Sequence, residues 1–316
     1  MIKQNSILIT GGTGMVGTEL QAIMPGQYYI GSKQCDLTNQ QKVNALLTNL
    51  EPDGIIHLAA RVGGIQYNLA NPVSMFDDNV LMNTLLVKAA YEHSVKRFIG
   101  ILSTCIYPNV NPKGYPMLEE HLHDGPPAES NFSYGVAKRA LATQIHAYNQ
   151  QYGLRYQYLI PANLYGLHDK YGDHHSHFVA ALIKKIHRAV VRGEKTITLF
   201  GSGQAMRQFM FAEDLARIIK ICLDAGITEN MNICSDECYS IANIANIALR
   251  ACKATHLRIV YDKSKPDGQM KKTVSNELLK SILPGFTFTS LYDGIERTYK
   301  HYCEQYEKSA GAGHYL

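Results

Sequence analysis

The 316-residue chain lacks tryptophan, and it lacks any apolar stretch long enough to cross a membrane. Its formal net charge is only +4, and lysine and arginine form no dense cluster, so nucleic acid is not predicted as a partner. The apolar run at 7–9 is too short for a secretory signal, and no cleavage site follows it. These absences predict a cytoplasmic protein with no membrane partner.

The seven cysteines are odd in number and scattered, which is typical of a reducing compartment and not of a disulfide framework. Five histidines lie between positions 168 and 187, but no cysteine pair or carboxylate accompanies them at ligand spacing. No metal site is therefore predicted. The histidines are interpreted as a surface group, one member of which faces the functional site.

Short apolar runs alternate with longer amphipathic segments in the first half of the chain, which predicts βαβ units and a parallel sheet. The expected strands are 6–10, 54–60, 98–103 and 157–161, and the expected helices include 72–91 and 133–151. A capping box formed by Thr38 and Gln41 predicts the start of a further helix. The fold class is therefore α/β, a Rossmann-type doubly wound parallel sheet with a smaller C-terminal lobe.

The second half of the chain is less regular and contains no internal repeat or low-complexity linker. The first lobe is expected to cover 1–165, and the second lobe mainly 166–316. A segment near 201–225 is expected to return to the first lobe, so the two lobes are partly interleaved.

A glycine-rich segment directly follows the first expected strand. Gly11, Gly14 and Gly17 have the spacing that lets backbone N–H groups reach a pyrophosphate at the positive end of the next helix. The same spacing, in isolation, is also typical of an ordinary glycine-rich turn. The position between a strand and a helix favours a dinucleotide site. The expected contacts are Gly11, Gly12, Thr13, Gly14, Met15, Val16 and Gly17.

The end of the second expected strand indicates which dinucleotide binds. Proteins that bind NAD usually carry an aspartate or glutamate there, for the ribose hydroxyls. This chain has no carboxylate at 29–33, and Ser32 and Lys33 are suited to a 2′-phosphate. Lys33 is equally well interpreted as a solvated surface lysine. The missing carboxylate favours NADPH over NADH.

Tyr134 and Lys138 lie four residues apart on an expected helix, and so on one face. A nearby ammonium stabilises a phenolate, so Lys138 is expected to lower the pKa of Tyr134. Ser103 and Cys105 follow an expected strand, at the sheet edge where ligands bind. Ser103 suits a substrate carbonyl and Cys105 suits proton transfer. The alternatives are a chance Tyr–Lys spacing and a small buried thiol at Cys105.

Six segments of the sequence resemble the extended short-chain dehydrogenase/reductase family, and within it the GDP-L-fucose synthases. They are HLAARVGG at 57–64, LSTCIYP at 102–108, GPP at 125–127, NFSYGVAK at 131–138, PANLYG at 161–166 and DGQMKK at 267–272. The likeness extends over nearly the whole chain. The segments at 62–64 and 103–105 are specific to the GDP-L-fucose synthases within the larger family.

The resemblance implies a two-part reaction on GDP-4-keto-6-deoxy-D-mannose that gives GDP-L-fucose. C3 and C5 are epimerised first, because both carbons flank the C4 ketone and have acidic protons. Hydride from NADPH then reduces C4. In the family a cysteine and a histidine exchange the protons, and they match Cys105 and His177. Tyr134 would protonate the C4 oxygen, Lys138 would hold the nicotinamide ribose, and Ser103 would orient the carbonyl.

The resemblance also implies the remaining contacts and the assembly. Further residues expected at the cofactor are Pro161, Ala162, Asn163, Leu164, Lys138 and His177, and those expected at the GDP-sugar are Lys185, Phe200, Arg207 and Asp267. Phe200 stands where relatives usually carry tryptophan, so a ring is kept while the indole N–H donor is lost. Thr13 and Ser32 replace arginines of bacterial relatives. Relatives are homodimers that pair through helices matching 72–91 and 133–151.

Two other functions fit the same residues. The nearer one is a reductase or epimerase that acts on another 4-keto nucleotide sugar. The other is a non-catalytic protein that senses a dinucleotide, although such proteins tend to lose the Tyr–Lys pair that this chain keeps at Tyr134 and Lys138.

Overall fold

A computed structural model describes residues 6–110, 113–172, 176–265 and 267–311. Its strands are β1 (Ile7–Thr10), β2 (Tyr28–Ile30), β3 (Gly54–His57), β4 (Arg97–Ile101), β5 (Gln157–Pro161), β6 (Asn163–Tyr165), β7 (Thr196–Phe200), β8 (Met206–Arg207), β9 (Phe209–Phe211), β10 (Met231–Ile233), β11 (Tyr239–Ser240), β12 (Arg258–Asp262) and β13 (Lys271–Lys272). Its α-helices are α1 (Met15–Ile23), α2 (Gln40–Leu50), α3 (Ile65–Ala70), α4 (Pro72–Glu92), α5 (Phe132–Tyr152), α6 (Phe178–Val191), α7 (Ala212–Asp224), α8 (Ile241–Ala251), α9 (Glu277–Ile282) and α10 (Leu291–Gly311).

Six parallel strands form the main sheet, in the order β2-β1-β3-β4-β5-β10. The direction in which the chain adds strands reverses between β1 and β3. A reversal of this kind opens a crevice at the carboxyl ends of the strands, where ligands bind in sheets of this type. The predicted Rossmann-type α/β fold is confirmed.

Helices cover both faces of the main sheet. Helix α4 packs on α5 and α2, while α1 packs on α7. Every residue of β1 and β3 is buried, which explains why these strands are almost continuously apolar. The first-lobe core therefore holds the carboxyl ends of β1, β4 and β5 at one rigid edge.

The second lobe has a separate apolar core. Helices α6, α8 and α10 enclose this core together with the parallel pair β7 and β12. Strand β8 pairs with β11 and β13. The chain returns to the first lobe with α7, and then with β10, which pairs with β5. In the part of the chain that the structure describes, no helix is both long and apolar enough to span a membrane.

Helix α2 begins one residue later than predicted. Its N-cap is Asn39, whose side-chain oxygen accepts a hydrogen bond of 3.0 Å from the Lys42 amide. Thr38 does not cap the helix, because its hydroxyl donates to the Asp36 carboxylate at 2.7 Å. The expected capping box of Thr38 and Gln41 was therefore wrong. A nearer carboxylate attracts the hydroxyl that the pattern assigned to the helix.

Candidate active site

The glycine-rich loop connects β1 directly to α1. Gly11 has a φ of +71°, and a Cβ there would lie 2.7 Å from the Ala59 amide nitrogen. A Cβ on Gly17 would lie 2.5 Å from the Gly12 carbonyl oxygen, so the first turn of α1 can touch the loop only at a glycine. Gly14 is the N-cap of α1 and has no side chain to satisfy the first amides. These amides are therefore available to an anion.

The residues after β2 face outward beside this loop. Ser32 and Lys33 are exposed, and residues 29–33 contain no carboxylate. A Cβ on Gly31 would lie 2.5 Å from the Thr13 hydroxyl, which shows how closely Thr13 approaches the end of β2. Hydroxyl groups and one ammonium thus lie beside the loop.

The short 3₁₀ helix Thr104–Ile106 follows β4 and presents Cys105. Ser103 begins this turn, and its hydroxyl accepts a hydrogen bond of 3.3 Å from the Cys105 amide. Helix α5 approaches the turn at Gly135, where a Cβ would lie 2.7 Å from the Cys105 carbonyl oxygen. Because Tyr134 precedes that glycine, it is brought next to Ser103 and Cys105. The side chains of Tyr134 and Ser103 lie close enough to interact.

Cys105 has a cationic partner that the motif analysis did not assign. The Lys272 ammonium lies 3.1 Å from the Cys105 sulfur. Burial alone raises the pKa of the thiol. The Lys272 charge, hydrogen bonds from Ser103 and Lys272, and the more distant Arg207 together bring the Cys105 pKa below its usual value. The lowered pKa raises the fraction of thiolate, the form that accepts protons.

Tyr134 and Lys138 are both buried in α5. The Lys138 ammonium donates to the Ile101 carbonyl at 2.8 Å, and burial lowers the Lys138 pKa to about 8. Burial and the nearby Cys105 raise the pKa of Tyr134, against a smaller lowering by Ser103. The expectation that Lys138 lowers the Tyr134 pKa is therefore wrong. Burial has the larger effect, and Tyr134 is kept as a protonated phenol.

His177 is the N-cap of α6 and is half-buried. Asp169 is close enough that the charge on His177 lowers the Asp169 pKa, although burial has the larger, opposite effect and the net pKa is raised. The Lys170 amide donates to the same carboxylate at 2.8 Å. The Asp169 carboxylate therefore lies near the His177 imidazole, a proximity that the sequence did not indicate.

The carboxyl end of β5 adds the segment from Pro161 to Leu164 to the same edge of the sheet. The Ala162 amide donates to Ile233 of β10 at 2.9 Å, and the Asn163 side chain donates to the Gln208 carbonyl at 2.9 Å. The segment is therefore fixed by strands of both lobes. It leaves the sheet at the same edge as the turn that carries Ser103.

Second-lobe side chains complete the site. The Asp267 carboxylate accepts hydrogen bonds of 2.6 and 3.0 Å from the amide and hydroxyl of Ser202. Its charge also reaches Arg207, which interacts with Cys105 from the other side. The Lys185 ammonium lies 5.8 Å from the centre of the Phe200 ring, and this ring is 59% exposed. Arg207 thus connects the thiol with the second lobe, and Phe200 offers a free aromatic face.

The residues that the structure describes contain no group of three side chains able to hold a metal ion. Two of the five histidines considered above, His174 and His175, lie outside the described residues. His168 packs against His301, with 5.1 Å between ring centres. His187 lies among tyrosines of α10 in the second-lobe core. Within the described part of the chain, these histidines therefore occupy separate surroundings.

Comparison with known proteins agrees with this geometry. Residues 7–234 match the NAD dependent epimerase/dehydratase family. The chain belongs to this family. The match covers the glycine-rich loop, the turn at Cys105 and the Tyr134–Lys138 pair.

Within the family, the relatives are nucleotide-sugar enzymes of nearly equal length. "Probable GDP-L-fucose synthase" from Drosophila melanogaster is 37% identical, over 96% of this chain and 98% of the relative. "GDP-L-colitose synthase" from Yersinia pseudotuberculosis is 32% identical over 95% and 98%. A crystal structure of a GDP-L-fucose synthetase from Naegleria fowleri bound to NADP is 34% identical, with a TM-score of 0.88 over 97% and 95% of the two chains. The predicted resemblance to the GDP-L-fucose synthases is confirmed.

Family membership does not by itself explain Lys272 and Asp169. Lys272 belongs to a segment that carried the resemblance, but a lysine in a loop is normally interpreted as solvated. It is brought to Cys105 across 167 residues of sequence by the pairing of β13 with β8. Asp169 belongs to none of the sequence motifs described above, and its proximity to His177 comes from the fold. In both cases the missing information was tertiary, namely which strand or helix end lies opposite.

Proposed function

We propose that this protein uses NADPH to convert GDP-4-keto-6-deoxy-D-mannose into GDP-L-fucose, by epimerisation at C3 and C5 followed by reduction at C4. The observation that carries the proposal is the contact of 3.1 Å between Lys272 and Cys105, beside Ser103 and Tyr134. A ketone reductase needs a proton donor such as Tyr134. A stabilised thiolate next to that donor is required only if carbon–hydrogen bonds beside the ketone are also broken.

The loop and its surroundings fit NADPH. Gly11 and Gly17 let the loop pack closely against Ala59 and the start of α1, and the first amides of α1 have no side-chain cap. Thr13, Ser32 and Lys33 offer hydroxyl and ammonium groups where an NAD-specific protein would carry a carboxylate. When bound there, NADPH supplies the hydride that reduces C4.

Epimerisation uses one proton acceptor and one proton donor. The Cys105 thiolate removes a proton from a carbon next to the ketone, and the electron pair of that bond moves to the C4 oxygen as an enolate. Ser103 donates a hydrogen bond to this oxygen, which stabilises its charge. His177, with the Asp169 carboxylate nearby, returns a proton to the opposite face of the carbon. Once Cys105 has released its proton to solvent and His177 has taken one up, the same steps at the second carbon invert the second centre.

Reduction uses the protonated form of Tyr134. Because burial raises its pKa, the phenol keeps its proton at neutral pH and donates it to the C4 oxygen as hydride arrives. Lys138 remains a cation below about pH 8 and is held by the carboxyl end of β4. We assign it to the nicotinamide ribose. The same Ser103 hydroxyl that orients the ketone then directs the oxygen toward Tyr134.

The second lobe is assigned to the GDP part of the substrate. Arg207 offers a planar pair of N–H donors that suits a diphosphate, and Lys185 adds a second cation. The exposed ring of Phe200 gives a base a surface on which to stack. Asp267, held by Ser202, fixes the loop that carries Lys272. Binding of the nucleotide is thereby coupled to the position of the thiolate partner.

We also propose that the protein is a cytoplasmic homodimer. None of the seven cysteines is paired in a disulfide, which supports a reducing compartment. Helices α4 and α5 lie side by side, and apolar side chains such as Leu81 and Tyr152 are exposed on them. These helices match the pairing surface implied by the resemblance.

A second candidate is the same chemistry on another GDP-linked 4-keto sugar. The relative named GDP-L-colitose synthase matches this chain as completely as the GDP-L-fucose synthases do. The acid and base groups would keep their roles. The difference would lie in the sugar hydroxyls that the site accepts.

Incubation with GDP-4-keto-6-deoxy-D-mannose and NADPH in deuterated water tests the proposal. We expect GDP-L-fucose with deuterium at C3 and C5, detected by NMR and mass spectrometry. Cys105→Ser should strongly slow this exchange, while Cys303→Ser, at another half-buried thiol, should not. A reduced sugar without deuterium would contradict the epimerase part. No turnover of this sugar, together with turnover of a related 4-keto GDP-sugar, would favour the second candidate.

A further inference from the structure

A chain of buried hydrogen bonds crosses the first lobe below the active site. The Thr10 hydroxyl lies 2.7 Å from the His57 Nδ1 atom, and the His57 Nε2 atom lies 2.9 Å from the Asn83 side-chain oxygen. The Asn83 amide group in turn donates to the Ala137 carbonyl of α5 at 3.4 Å. The side chains of Thr10, His57 and Asn83 are at most 1% exposed.

The direction of each hydrogen bond follows from the last one. Because the Asn83 NH₂ group donates to Ala137, its oxygen faces His57 and accepts from Nε2–H. The imidazole therefore carries its proton on Nε2, and Nδ1 accepts from the Thr10 hydroxyl. Burial and the nearby Lys138 charge lower the His57 pKa to about 3, which agrees with a neutral ring. Each group in the chain is satisfied by one neighbour.

The two ends of this chain lie at the two halves of the site. Thr10 is the last residue of β1 and is followed by Gly11, where the nucleotide loop begins. Ala137 lies in α5 between Tyr134 and Lys138. Thr10 and His57 are opposite each other on the paired strands β1 and β3, and Asn83 lies on α4, which packs on α5. The hydrogen bonds therefore run from the sheet edge at the nucleotide loop, through α4, to α5.

We propose that His57 and Asn83 are positioning residues, which set the location of Tyr134 and Lys138 relative to the nucleotide loop. The inference rests on the proposed reduction, because hydride transfer requires the nucleotide loop and the proton donor Tyr134 to hold a fixed position relative to each other. Misplacement by a fraction of an ångström lowers a rate without removing any group that touches the substrate. Neither His57 nor Asn83 belongs to the catalytic groups described above.

The test replaces Asn83 by leucine, which is similar in size and has no polar atoms. This variant leaves the His57 N–H unpaired and releases the Ala137 carbonyl. The matched control is Asn79→Leu. Asn79 is equally buried on the same helix, but its hydrogen bonds go to Arg61 and Met75, away from α5. Both variants should lose similar thermal stability, since each removes a satisfied buried amide.

For Asn83→Leu we expect the kcat of NADPH-dependent reduction to fall about tenfold, the effect of roughly one misplaced hydrogen bond. Amide hydrogen exchange in α5 should become faster. The Asn79→Leu control should keep both values. His57→Gln, whose amide can donate to Asn83 and accept from Thr10, should recover most of the kcat that His57→Leu loses.

The proposal is overturned if Asn83→Leu keeps the wild-type kcat and α5 exchange, or if Asn79→Leu loses as much of each. Should Asn83→Leu fail to fold, Thr10→Val decides, because valine suits the strand and removes only the first hydrogen bond. An unchanged kcat and α5 exchange in Thr10→Val would then overturn the proposal. If the wild-type protein does not reduce the GDP-sugar, the proposed function fails, and α5 exchange tests the positioning role alone.

Discussion

The acidity of the Cys105 thiol depends on which of two opposing effects is larger. Burial disfavours the thiolate, while the Lys272 ammonium at 3.1 Å and the Arg207 charge favour it. Their combined effect is a Cys105 pKa below its usual value, which raises the thiolate fraction at neutral pH.

Replacing Lys272 by methionine should reverse this balance. The side chain keeps its length but loses its charge, so burial becomes the dominant effect and the Cys105 pKa should rise. The thiolate fraction at pH 7 should then fall by about tenfold for each unit of the shift. The rate of alkylation of Cys105 by iodoacetamide, followed from pH 6 to pH 10 by mass spectrometry, measures the midpoint directly.

Lys271→Met provides the matched control for this experiment. Lys271 is the neighbouring residue in β13, and its ammonium lies over the Tyr115 ring and not at Cys105. Its replacement should leave the alkylation midpoint of Cys105 in place. Equal midpoints in the wild type and Lys272→Met would show that Lys272 does not stabilise the thiolate.

The sequence predicted which side chains form the candidate site, but it did not predict every interaction between them. Ser103, Cys105 and Tyr134 come together as expected, because a strand end and one helix supply them. The effect of Lys138 on Tyr134 could not be derived from a spacing of four residues. Burial sets the pKa of both side chains, and burial is a property of the finished fold.

Among the elements, the junction of the glycine loop with α1 has no space for a side chain at Gly17. Gly17→Ala would place a Cβ 2.5 Å from the Gly12 carbonyl oxygen. Relief requires the start of α1 to move away from the loop, at a cost of about 1–3 kcal/mol. We expect a lower Tm and an NADPH affinity weakened by about tenfold or more, measured by fluorescence titration.

Gly285→Ala is the control for this change, because a Cβ there meets no atom within 4 Å. It should leave both the Tm and the NADPH affinity close to those of the wild type. Normal NADPH binding by Gly17→Ala would mean that the loop and α1 can separate without loss of the nucleotide site.

The sequence predicted the strands and helices whose burial determines their amino-acid composition. Strands β1 and β3 are buried on both faces and are therefore apolar except for their last residues, Thr10 and His57, and α4 and α5 are long enough to show their periodicity. Strands β8, β11 and β13 have only two residues each and carry no pattern. The start of α2 was misplaced because Thr38 has the capping-box spacing to Gln41, whereas Asn39, the more favoured cap residue, forms the actual N-cap.

At the scale of the whole molecule, a substitution on the outer face of α4 tests whether the protein forms a dimer. Leu81 lies in the middle of this helix and is 46% exposed. If α4 and α5 pair with those of a second copy, Leu81→Glu would bury a charge in the interface, which is strongly unfavourable. Sedimentation velocity should then show a dimer for the wild type and a monomer for the variant.

Val191→Glu is the corresponding change on the second lobe, at the exposed end of α6. It should sediment as the wild type does. A wild-type protein that is monomeric at micromolar concentration would contradict the homodimer. A Leu81→Glu protein that remains dimeric would place the interface elsewhere on the molecule.

Strand β10 pairs with β5 but is synthesised much later than β5. Strand β5 is complete at residue 161, but its neighbour spans residues 231–233, so one edge of the sheet stays unpaired while much of the second lobe is synthesised. At about 5–20 residues per second, this interval lasts on the order of several seconds on the ribosome. An open edge of a parallel sheet is prone to pair with other chains. The nascent chain is therefore most vulnerable to aggregation between these two points.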